Sequence, residues 1–128
     1  MQRILIVEDS ATMRSLLASS LEELEVPVKI VEAESGFEAL RFLPREDFDL
    51  VVTDINMPDI NGLELVSFIR QNKKYVDIPL VIVSTEGSER DRDKGLQLGA
   101  DAYMVKPFDP DMLRQLVTDL LAGRREER

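Results

Sequence analysis

The sequence of 128 residues contains no cysteine and no histidine. Without cysteine the chain has no disulfide and no thiol nucleophile, and without both residue types it lacks the usual ligands of zinc. The absence of histidine also removes the commonest general acid–base group. Any chemistry must therefore depend on carboxylates, hydroxyls, lysine and a hard metal ion that prefers oxygen ligands.

Long apolar runs and an excess of positive charge are missing too. No stretch approaches the ~20 apolar residues of a membrane-spanning helix, and the short apolar run after Arg3 soon turns acidic, unlike a signal peptide. Lysine and arginine number 16 against 25 acidic residues, for a net charge of −9. Such a charge repels nucleic acid and anionic membrane surfaces. We expect a cytoplasmic protein that binds no nucleic acid and does not insert into membranes.

Five short apolar runs alternate with amphipathic segments along the chain. The runs predict strands at residues 4–7, 26–31, 50–53, 80–83 and 102–105. Several are continuously apolar, which is typical of strands covered on both faces. The alternation predicts one doubly wound α/β domain, with a mostly parallel sheet between two layers of helices. A reversal in strand order should leave a crevice beside the first and third strands.

The intervening segments carry helix signals. Ser35 with Glu38, and Asn61 with Glu64, have the spacing of capping boxes. Apolar residues between the first two strands recur at helical spacing and predict one buried face, namely Met13, Leu16, Leu17, Leu21 and Leu24.

Acidic residues follow two of the predicted strands. Glu8 and Asp9 close the first run, and Asp54 closes the third. If these strands are neighbours, three carboxylates meet at the sheet edge where ligands bind in open α/β folds. Two such charges ~4 Å apart repel by roughly 4 kcal/mol at an effective dielectric of ~20. A cluster of this kind needs a cation, a proton or a lysine, and it indicates a functional site.

Each of these residues also has a structural interpretation. Asp9 with Ser10 can cap the first helix, and Asp54 can serve as a turn residue at the end of a strand. Two further strands, however, also end in polar residues, Ser84-Thr85 and Lys106. Carboxylates that hold Mg²⁺, an ammonium group and a hydroxyl are together the groups that phosphoryl transfer requires.

Four motifs occur in order across essentially the whole chain. They are VEDS at residues 7–10, DINMP at 54–58 with Gly62 following, VST at 83–85 and GADAYMVKPF at 99–108. With these motifs the sequence resembles the receiver domain of two-component response regulators, most closely the single-domain chemotaxis type. The resemblance implies a (βα)5 three-layer sandwich with strand order 2-1-3-4-5. We expect a receiver domain over residues 1–123 and a charged tail over residues 124–128. A single-domain protein is preferred, and continuation into an output domain stays an open alternative.

The resemblance also implies roles for individual residues. Asp54 is the phosphoacceptor, Lys106 is the ammonium group of the family, and Ser84 is the switch hydroxyl. The peptide bond between Lys106 and Pro107 lies where the family has a cis bond. Mg²⁺ is the implied cofactor, with Mn²⁺ as a substitute, and its implied ligands are Glu8, Asp9, Asp54 and the backbone carbonyl of Asn56.

Residues around this site are expected to modulate it. Tyr103 occupies the aromatic switch position of the family. Asn56 and Glu86 flank the expected water path and should tune hydrolysis, although Glu86 also fits a solvated loop acid. Glu8 replaces the more frequent aspartate, and Thr85 lies where the family usually has a smaller side chain. Thr85 either narrows access to the acceptor or is accommodated without effect.

The resemblance further implies partners. A histidine kinase or phosphotransfer protein, or a small acyl phosphate, supplies the phosphoryl group, and the domain then dephosphorylates itself. Beyond these two reactions it is not a conventional enzyme. A downstream protein binds the face formed by the fourth helix, fifth strand and fifth helix. The fourth helix carries Arg90, Arg92, Lys94 and Gln97 there. We expect a monomer or a weak, phosphorylation-dependent dimer.

The sequence also allows three rival interpretations. A Mg²⁺-dependent aspartate phosphohydrolase usually has Asp-x-Asp, whereas this chain has Asp54-Ile55-Asn56 and no substrate domain. A nucleotide- or flavin-binding module needs a phosphate loop after the first strand, where this chain has two acids. The third is a receiver-like interaction module that acts without phosphorylation. The intact set of acids, hydroxyl and lysine favours phosphorylation over this alternative.

Overall fold

Strands and helices alternate strictly, as predicted. The computed structural model describes residues 1–127, and their side chains as far as residue 123, so the predicted charged tail lies outside the described side chains. The elements are β1 (Gln2–Val7), α1 (Ala11–Glu22), β2 (Val28–Ala33), α2 (Gly36–Phe42), β3 (Leu50–Thr53), α3 (Gly62–Gln71), β4 (Leu80–Ser84), α4 (Glu89–Leu98), β5 (Ala102–Val105) and α5 (Pro110–Glu127).

The strands form one parallel sheet in the order β2-β1-β3-β4-β5. The strand order implied by the resemblance is therefore confirmed. Leu5 of β1 pairs with Val31 of β2 on one side and with Val51 of β3 on the other. The chain leaves β1 in one direction and returns past it to β3, and this reversal creates a crevice at the carboxyl ends of these two strands.

Two apolar cores cover the two faces of the sheet. Successive residues of a strand point to opposite faces. Leu5 and Val7 accordingly belong to the core beneath α2, α3 and α4, whereas Ile4 and Ile6 belong to the core beneath α1 and α5. All residues of β3 and β4 are buried, as the continuous apolar runs predicted. The three-layer architecture is confirmed.

The second strand differs from the prediction. It begins at Val28, later than the predicted start at residue 26, and it continues to Ala33. Pro27 has no N–H to donate to a strand ladder, and its carbonyl accepts a hydrogen bond from Gln2 N–H at 3.0 Å just before pairing begins. Because β2 is an edge strand, it accommodates the exposed Glu32 that ended the predicted run.

One of the two predicted capping boxes is complete. The Asn61 side chain accepts from Glu64 N–H at 2.9 Å, and the Glu64 carboxylate accepts from Asn61 N–H at 3.3 Å. At α2, Ser35 does cap Glu38 N–H, but the Glu38 carboxylate accepts from Glu34 N–H and not from Ser35. The start of each helix is fixed by its predicted cap in both cases.

The predicted buried face of α1 was wrong at one position. Leu16 is 43% exposed, because the buried face centres on Leu17 and Leu21 and Leu16 lies outside it. Within the part of the chain that the structure describes, no helix combines the length and apolar character needed to cross a membrane.

Candidate functional site

Three acidic side chains converge at the carboxyl edge of the sheet. β1 ends at Val7 and β3 at Thr53, and these two residues are paired in the sheet. Glu8, Asp9 and Asp54 each place one carboxylate oxygen within 4.8 Å of the other two. Glu8 is 1% exposed and Asp54 is 8% exposed, whereas Asp9 is exposed to solvent. The structure thus brings together the acids that the sequence singled out.

The backbone around Asp54 is tightly held. Its N–H donates to the Val7 carbonyl at 3.0 Å, and its carboxylate accepts from Ile55 N–H at 2.7 Å. The Thr53 hydroxyl donates to the Asp54 carbonyl at 2.9 Å. A Cβ at Gly62 would lie only 1.9 Å from that same carbonyl oxygen. Glycine is therefore required at the start of α3, because any side chain would displace the strand end that carries Asp54.

Lys106 reaches into the acidic cluster from the end of β5. Its ammonium nitrogen lies 2.5 Å from Glu8 Oε1 and 3.3 Å from Asp54 Oδ2. The Lys106 side chain is only 8% exposed, so water screens these contacts weakly. Its backbone N–H donates to the Ser84 carbonyl at 2.8 Å, and the peptide bond to Pro107 is cis, as the resemblance implied. One ammonium group therefore partly neutralises two buried carboxylates.

The charged form of the Glu8 carboxyl is destabilised by its surroundings. Burial raises the pKa of the Glu8 carboxyl above its usual value, and the neighbouring charge of Asp54 acts in the same direction. The hydrogen bonds from Lys106 and from Ser10 N–H act in the opposite direction, and the net pKa shift is upward. The unmodified site thus holds more negative charge than its protein partners fully compensate.

The donor set fits a hard divalent cation. Glu8, Asp9 and Asp54 offer carboxylate oxygens, which are the ligands that Mg²⁺ and Mn²⁺ prefer in proteins. The exposed Asp9 leaves the cluster open to solvent on one side, and Mg²⁺ usually keeps several water ligands. Asn56 follows Asp54 closely enough in the chain for its backbone carbonyl to face the same region, and its role as a ligand stays a prediction.

The end of β4 supplies the hydroxyl residues. Ser84 is fully buried, and its Oγ accepts from Glu86 N–H at 3.2 Å. Thr85 is exposed at the surface. The effect of Thr85 on access to Asp54 stays a prediction.

Glu86 is held at three of its atoms. Its N–H donates to Ser84 Oγ, its carbonyl accepts from the Tyr103 hydroxyl, and its carboxylate accepts from the Asn56 side-chain amide at 2.8 Å. The contact with Asn56 joins the loop after β3 to the loop after β4, and Asp54 lies at the start of the first loop. Asn56 and Glu86, which were predicted together to flank the water path, are therefore direct hydrogen-bond partners.

Tyr103 lies on β5 with its ring partly buried against α4. Desolvation raises the pKa of its hydroxyl, a hydrogen bond with the Ser84 side chain acts in the opposite direction, and the acids Asp91, Glu86 and Asp54 again raise it, so the net shift is upward. The hydroxyl therefore stays protonated and can donate to the Glu86 carbonyl over a wide range of pH.

Two residues near the site were not predicted from the sequence. The Arg14 guanidinium of α1 donates to the Glu8 carbonyl at 2.9 Å and lies 3.4 Å from a carboxylate oxygen of Glu34. Nothing in the spacing of α1 distinguishes this arginine from a solvated one. Gly95 lies inside α4 against Tyr103. A glycine within a helical pattern commonly has a packing reason, and that signal could have identified it.

Comparison with known proteins identifies the family. A family model described as the response regulator receiver domain matches residues 4–118, which include the acidic cluster, Ser84 and Lys106. The chain belongs to this family.

Individual relatives agree with this assignment. The chain is 42% identical over 120 residues to a chemotaxis protein CheY homolog from Campylobacter jejuni, covering 93% of this chain and 92% of that one. The structure of the chemotaxis response regulator CheY4 of Vibrio cholerae superposes with a TM-score of 0.84 at 30% identity, over 94% of this chain and 98% of that one. A Mn²⁺-bound form of the response regulator Rcp1 superposes with a TM-score of 0.79 at 25% identity, over 94% and 91% of the two chains. The chain is thus a CheY-type receiver domain of two-component signalling.

Proposed function

We propose that this receiver domain accepts a phosphoryl group on the Asp54 carboxylate in a Mg²⁺-dependent reaction and then signals through a protein-binding face. The observation that carries the proposal is the contact of one buried lysine with two buried carboxylates, beside a third that is open to solvent. This arrangement is costly for stability, and it supplies the nucleophile and the positive charge that phosphoryl transfer needs.

In the proposed reaction an oxygen of Asp54 attacks the phosphorus of a phosphohistidine on a partner kinase or phosphotransfer protein. The new bond is an acyl phosphate, and the bond from phosphorus to the histidine nitrogen breaks. Lys106 stabilises the negative charge on the phosphoryl oxygens while the phosphoryl group passes to Asp54. The chain has no histidine of its own, so the donor is a separate molecule.

The Mg²⁺ ion would be held by Glu8, Asp9, Asp54 and the Asn56 carbonyl. When bound it supplies positive charge that offsets both the clustered acids and the phosphoryl oxygens. The Mn²⁺-bound form of Rcp1 supports a divalent cation in receivers of this kind.

Hydrolysis by water returns the site to its starting state. We propose that Asn56 and Glu86 set the rate of this step, since their hydrogen bond links the two loops beside the acceptor. The domain therefore limits the lifetime of its own signal.

The change at Asp54 would reach the surface through Ser84 and Tyr103. Phosphorylation adds roughly −1.5 to −2 charges, and the Ser84 hydroxyl at the end of β4 would donate a hydrogen bond to the new oxygens. Tyr103 on β5 would then repack and alter the face of α4, β5 and α5, where a downstream protein binds. That face also exposes apolar side chains, Leu96, Val105 and Met112. We propose that the receiver spans residues 1–123 and acts as a monomer or weak dimer.

Incubation with acetyl phosphate and Mg²⁺, followed by intact-mass measurement, tests the proposal. The wild type should gain the mass of one phosphoryl group, and Asp54→Asn should gain none. Omitting Mg²⁺ in the presence of EDTA should abolish the adduct. Asp47→Asn is a matched control, because Asp47 is an exposed acid that lines a cleft at the opposite edge of the sheet. An unmodified wild type would favour the interaction module that acts without phosphorylation.

A further inference from the structure

Arg14, near the start of α1, is bound at all three of its guanidinium nitrogens. Its Nη1 donates to the Glu8 carbonyl at 2.9 Å, and its Nη2 lies 3.4 Å from Glu34 Oε1. Its Nε lies 3.4 Å from Glu32 Oε1. The Arg14 side chain is only 13% exposed. This arginine therefore connects α1 to the end of β1, to β2 and to the loop after β2.

The carbonyl that Arg14 contacts belongs to the peptide unit between Glu8 and Asp9. A peptide unit is planar, so holding its carbonyl oxygen also fixes the direction in which the chain enters Asp9. On the other side of Glu8, its N–H donates to the Ala33 carbonyl at 3.0 Å. Both peptides that flank Glu8 are therefore held, one by β2 and the other by Arg14.

The Asp9 carboxylate depends on this backbone for its position. Glu8 and Asp54 are both bound by Lys106, whereas no hydrogen bond or ion pair within the described part of the chain holds the exposed Asp9 side chain. One carboxylate oxygen of Asp9 nevertheless lies within 4.8 Å of the other two acids. The direction of the main chain at Asp9 therefore decides whether its carboxylate joins the cluster.

We propose that Arg14 is a positioning residue for the metal centre formed by Glu8, Asp9 and Asp54. Its guanidinium holds the peptide between Glu8 and Asp9 in the orientation that presents the Asp9 carboxylate to a divalent cation. Groups that orient metal ligands from outside commonly change metal affinity by about 10- to 100-fold. The inference rests on the proposed function, because it concerns the Mg²⁺ ion that phosphoryl transfer to Asp54 requires.

Charge alone predicts the opposite effect of removing Arg14. The guanidinium is a cation beside the acidic cluster, so its loss should favour the binding of another cation. The exposed acids Glu32 and Glu34 would lose their partner, and their negative charge would act in the same direction. The sign of the change in Mg²⁺ affinity therefore separates positioning of the backbone from electrostatic attraction.

The first test measures Mg²⁺ affinity by NMR, from the shifts of amide resonances during a titration. Arg14→Met leaves no donor for the Glu8 carbonyl. We expect its dissociation constant for Mg²⁺ to be about 10-fold higher than that of the wild type, although the variant has lost a positive charge beside the site.

Arg114→Met is the matched control. The Arg114 side chain is 23% exposed and makes contacts of the same kind, with one backbone carbonyl and two acids. They are the Ser20 carbonyl at 3.2 Å, Glu23 at 3.3 Å and Asp111. None of these groups belongs to the acidic cluster. This variant should bind Mg²⁺ with the wild-type dissociation constant.

The second test needs no metal. The Ser10 N–H donates to Glu8 Oε2 at 3.1 Å, so this hydrogen bond spans the peptide that Arg14 holds. In EDTA, amide hydrogen exchange at Ser10 should be several-fold faster in Arg14→Met than in the wild type. In Arg114→Met it should be unchanged.

Equal or tighter Mg²⁺ binding in a folded Arg14→Met protein would overturn the inference, as would an unchanged exchange rate at Ser10. A wild type that binds no Mg²⁺ would instead overturn the proposed function, and this inference with it. Should Arg14→Met fail to fold, Arg14→Lys carries the same test. Its single nitrogen keeps the charge but cannot make the three contacts of the guanidinium, and wild-type affinity in that variant would also overturn the inference.

Discussion

The two edges of the sheet hold similar charged residues in different arrangements. At the amino edge, Lys29 Nζ lies 2.6 Å from Glu46 Oε1, and Arg3 Nε lies 3.7 Å from the same atom. Asp49 accepts a hydrogen bond from Arg3 N–H at 2.8 Å. The basic side chains are about half exposed, and water screens each charge.

At the carboxyl edge one ammonium group contacts two buried acids, and a third acid, which is exposed, lies beside them. The same residue types therefore give a nearly neutral rim at one edge and an excess of negative charge at the other. Screened pairs of the first kind contribute about 0–1 kcal/mol each. Unscreened repulsion of the second kind lowers stability until a bound cation changes the charge balance. The difference shows that the edge with the candidate functional site carries the charge arrangement that lowers stability.

Removing the shared ammonium group should give the largest effect. Lys106→Met leaves Glu8 and Asp54 buried without their cation, and loss of one partner from a buried pair costs about 3 kcal/mol or more. We expect the free energy of unfolding, measured by urea denaturation in EDTA, to fall by about this amount. Saturating Mg²⁺ should restore part of the loss. An unchanged free energy would mean that the buried acids are already neutral.

Magnesium should stabilise the wild type through the carboxyl edge alone. At 100 times its dissociation constant, a ligand that binds only the folded state adds about 2.7 kcal/mol. Asp9→Asn removes one carboxylate of the cluster and should abolish most of the shift in melting temperature between Mg²⁺ and EDTA. Asp47→Asn, at the amino edge, should retain it. A shift that survives in Asp9→Asn but disappears in Asp47→Asn would place the ion at the wrong edge.

Lowering the pH should stabilise the folded wild type relative to a variant that lacks the Glu8 charge. Burial raises the pKa of Glu8 above 4.5 in the folded protein, so the folded state binds this proton more tightly than the unfolded state. The resulting stability is fully present below the unfolded pKa and is lost as the pH rises through the raised one. Between pH 4.5 and neutrality, the wild type in EDTA should lose free energy of unfolding relative to Glu8→Gln. Parallel curves would contradict the raised pKa.

The sequence was sufficient to predict the sheet because the signal lies within each element. Continuous apolar runs marked the buried strands, and the capping box at Asn61 marked the start of α3. The carboxyl ends of parallel strands share one edge, so the convergence of Glu8, Asp9 and Asp54 followed from the topology. β2 begins later than the apolar run predicted because Pro27 has no backbone N–H to donate, and hydrophobicity alone does not reveal this effect.

Contacts between distant elements could not be predicted in the same way. The Lys106 ammonium group contacts both Glu8 and Asp54, and these contacts depend on side-chain geometry at the ends of three strands. Likewise, the packing of Gly95 on Tyr103 joins residues of α4 and β5 that no periodicity relates. Such pairs depend on the distances that folding creates, and not on spacing along the chain.

Breaking a pair at the amino edge should give the smallest effect. Lys29→Met removes the ammonium group from Glu46, but the Lys29 side chain is 51% exposed and Arg3 stays near the same carboxylate. We expect the free energy of unfolding to fall by about 0–1 kcal/mol. Because exposed pairs are screened by salt, the difference from wild type should shrink as NaCl is raised toward ~1 M, where the Debye length is about 3 Å. Urea denaturation at low and high salt measures both quantities. A loss as large as that of Lys106→Met would mean that charge contacts at the two edges contribute equally to the free energy of unfolding, whether they are buried or exposed.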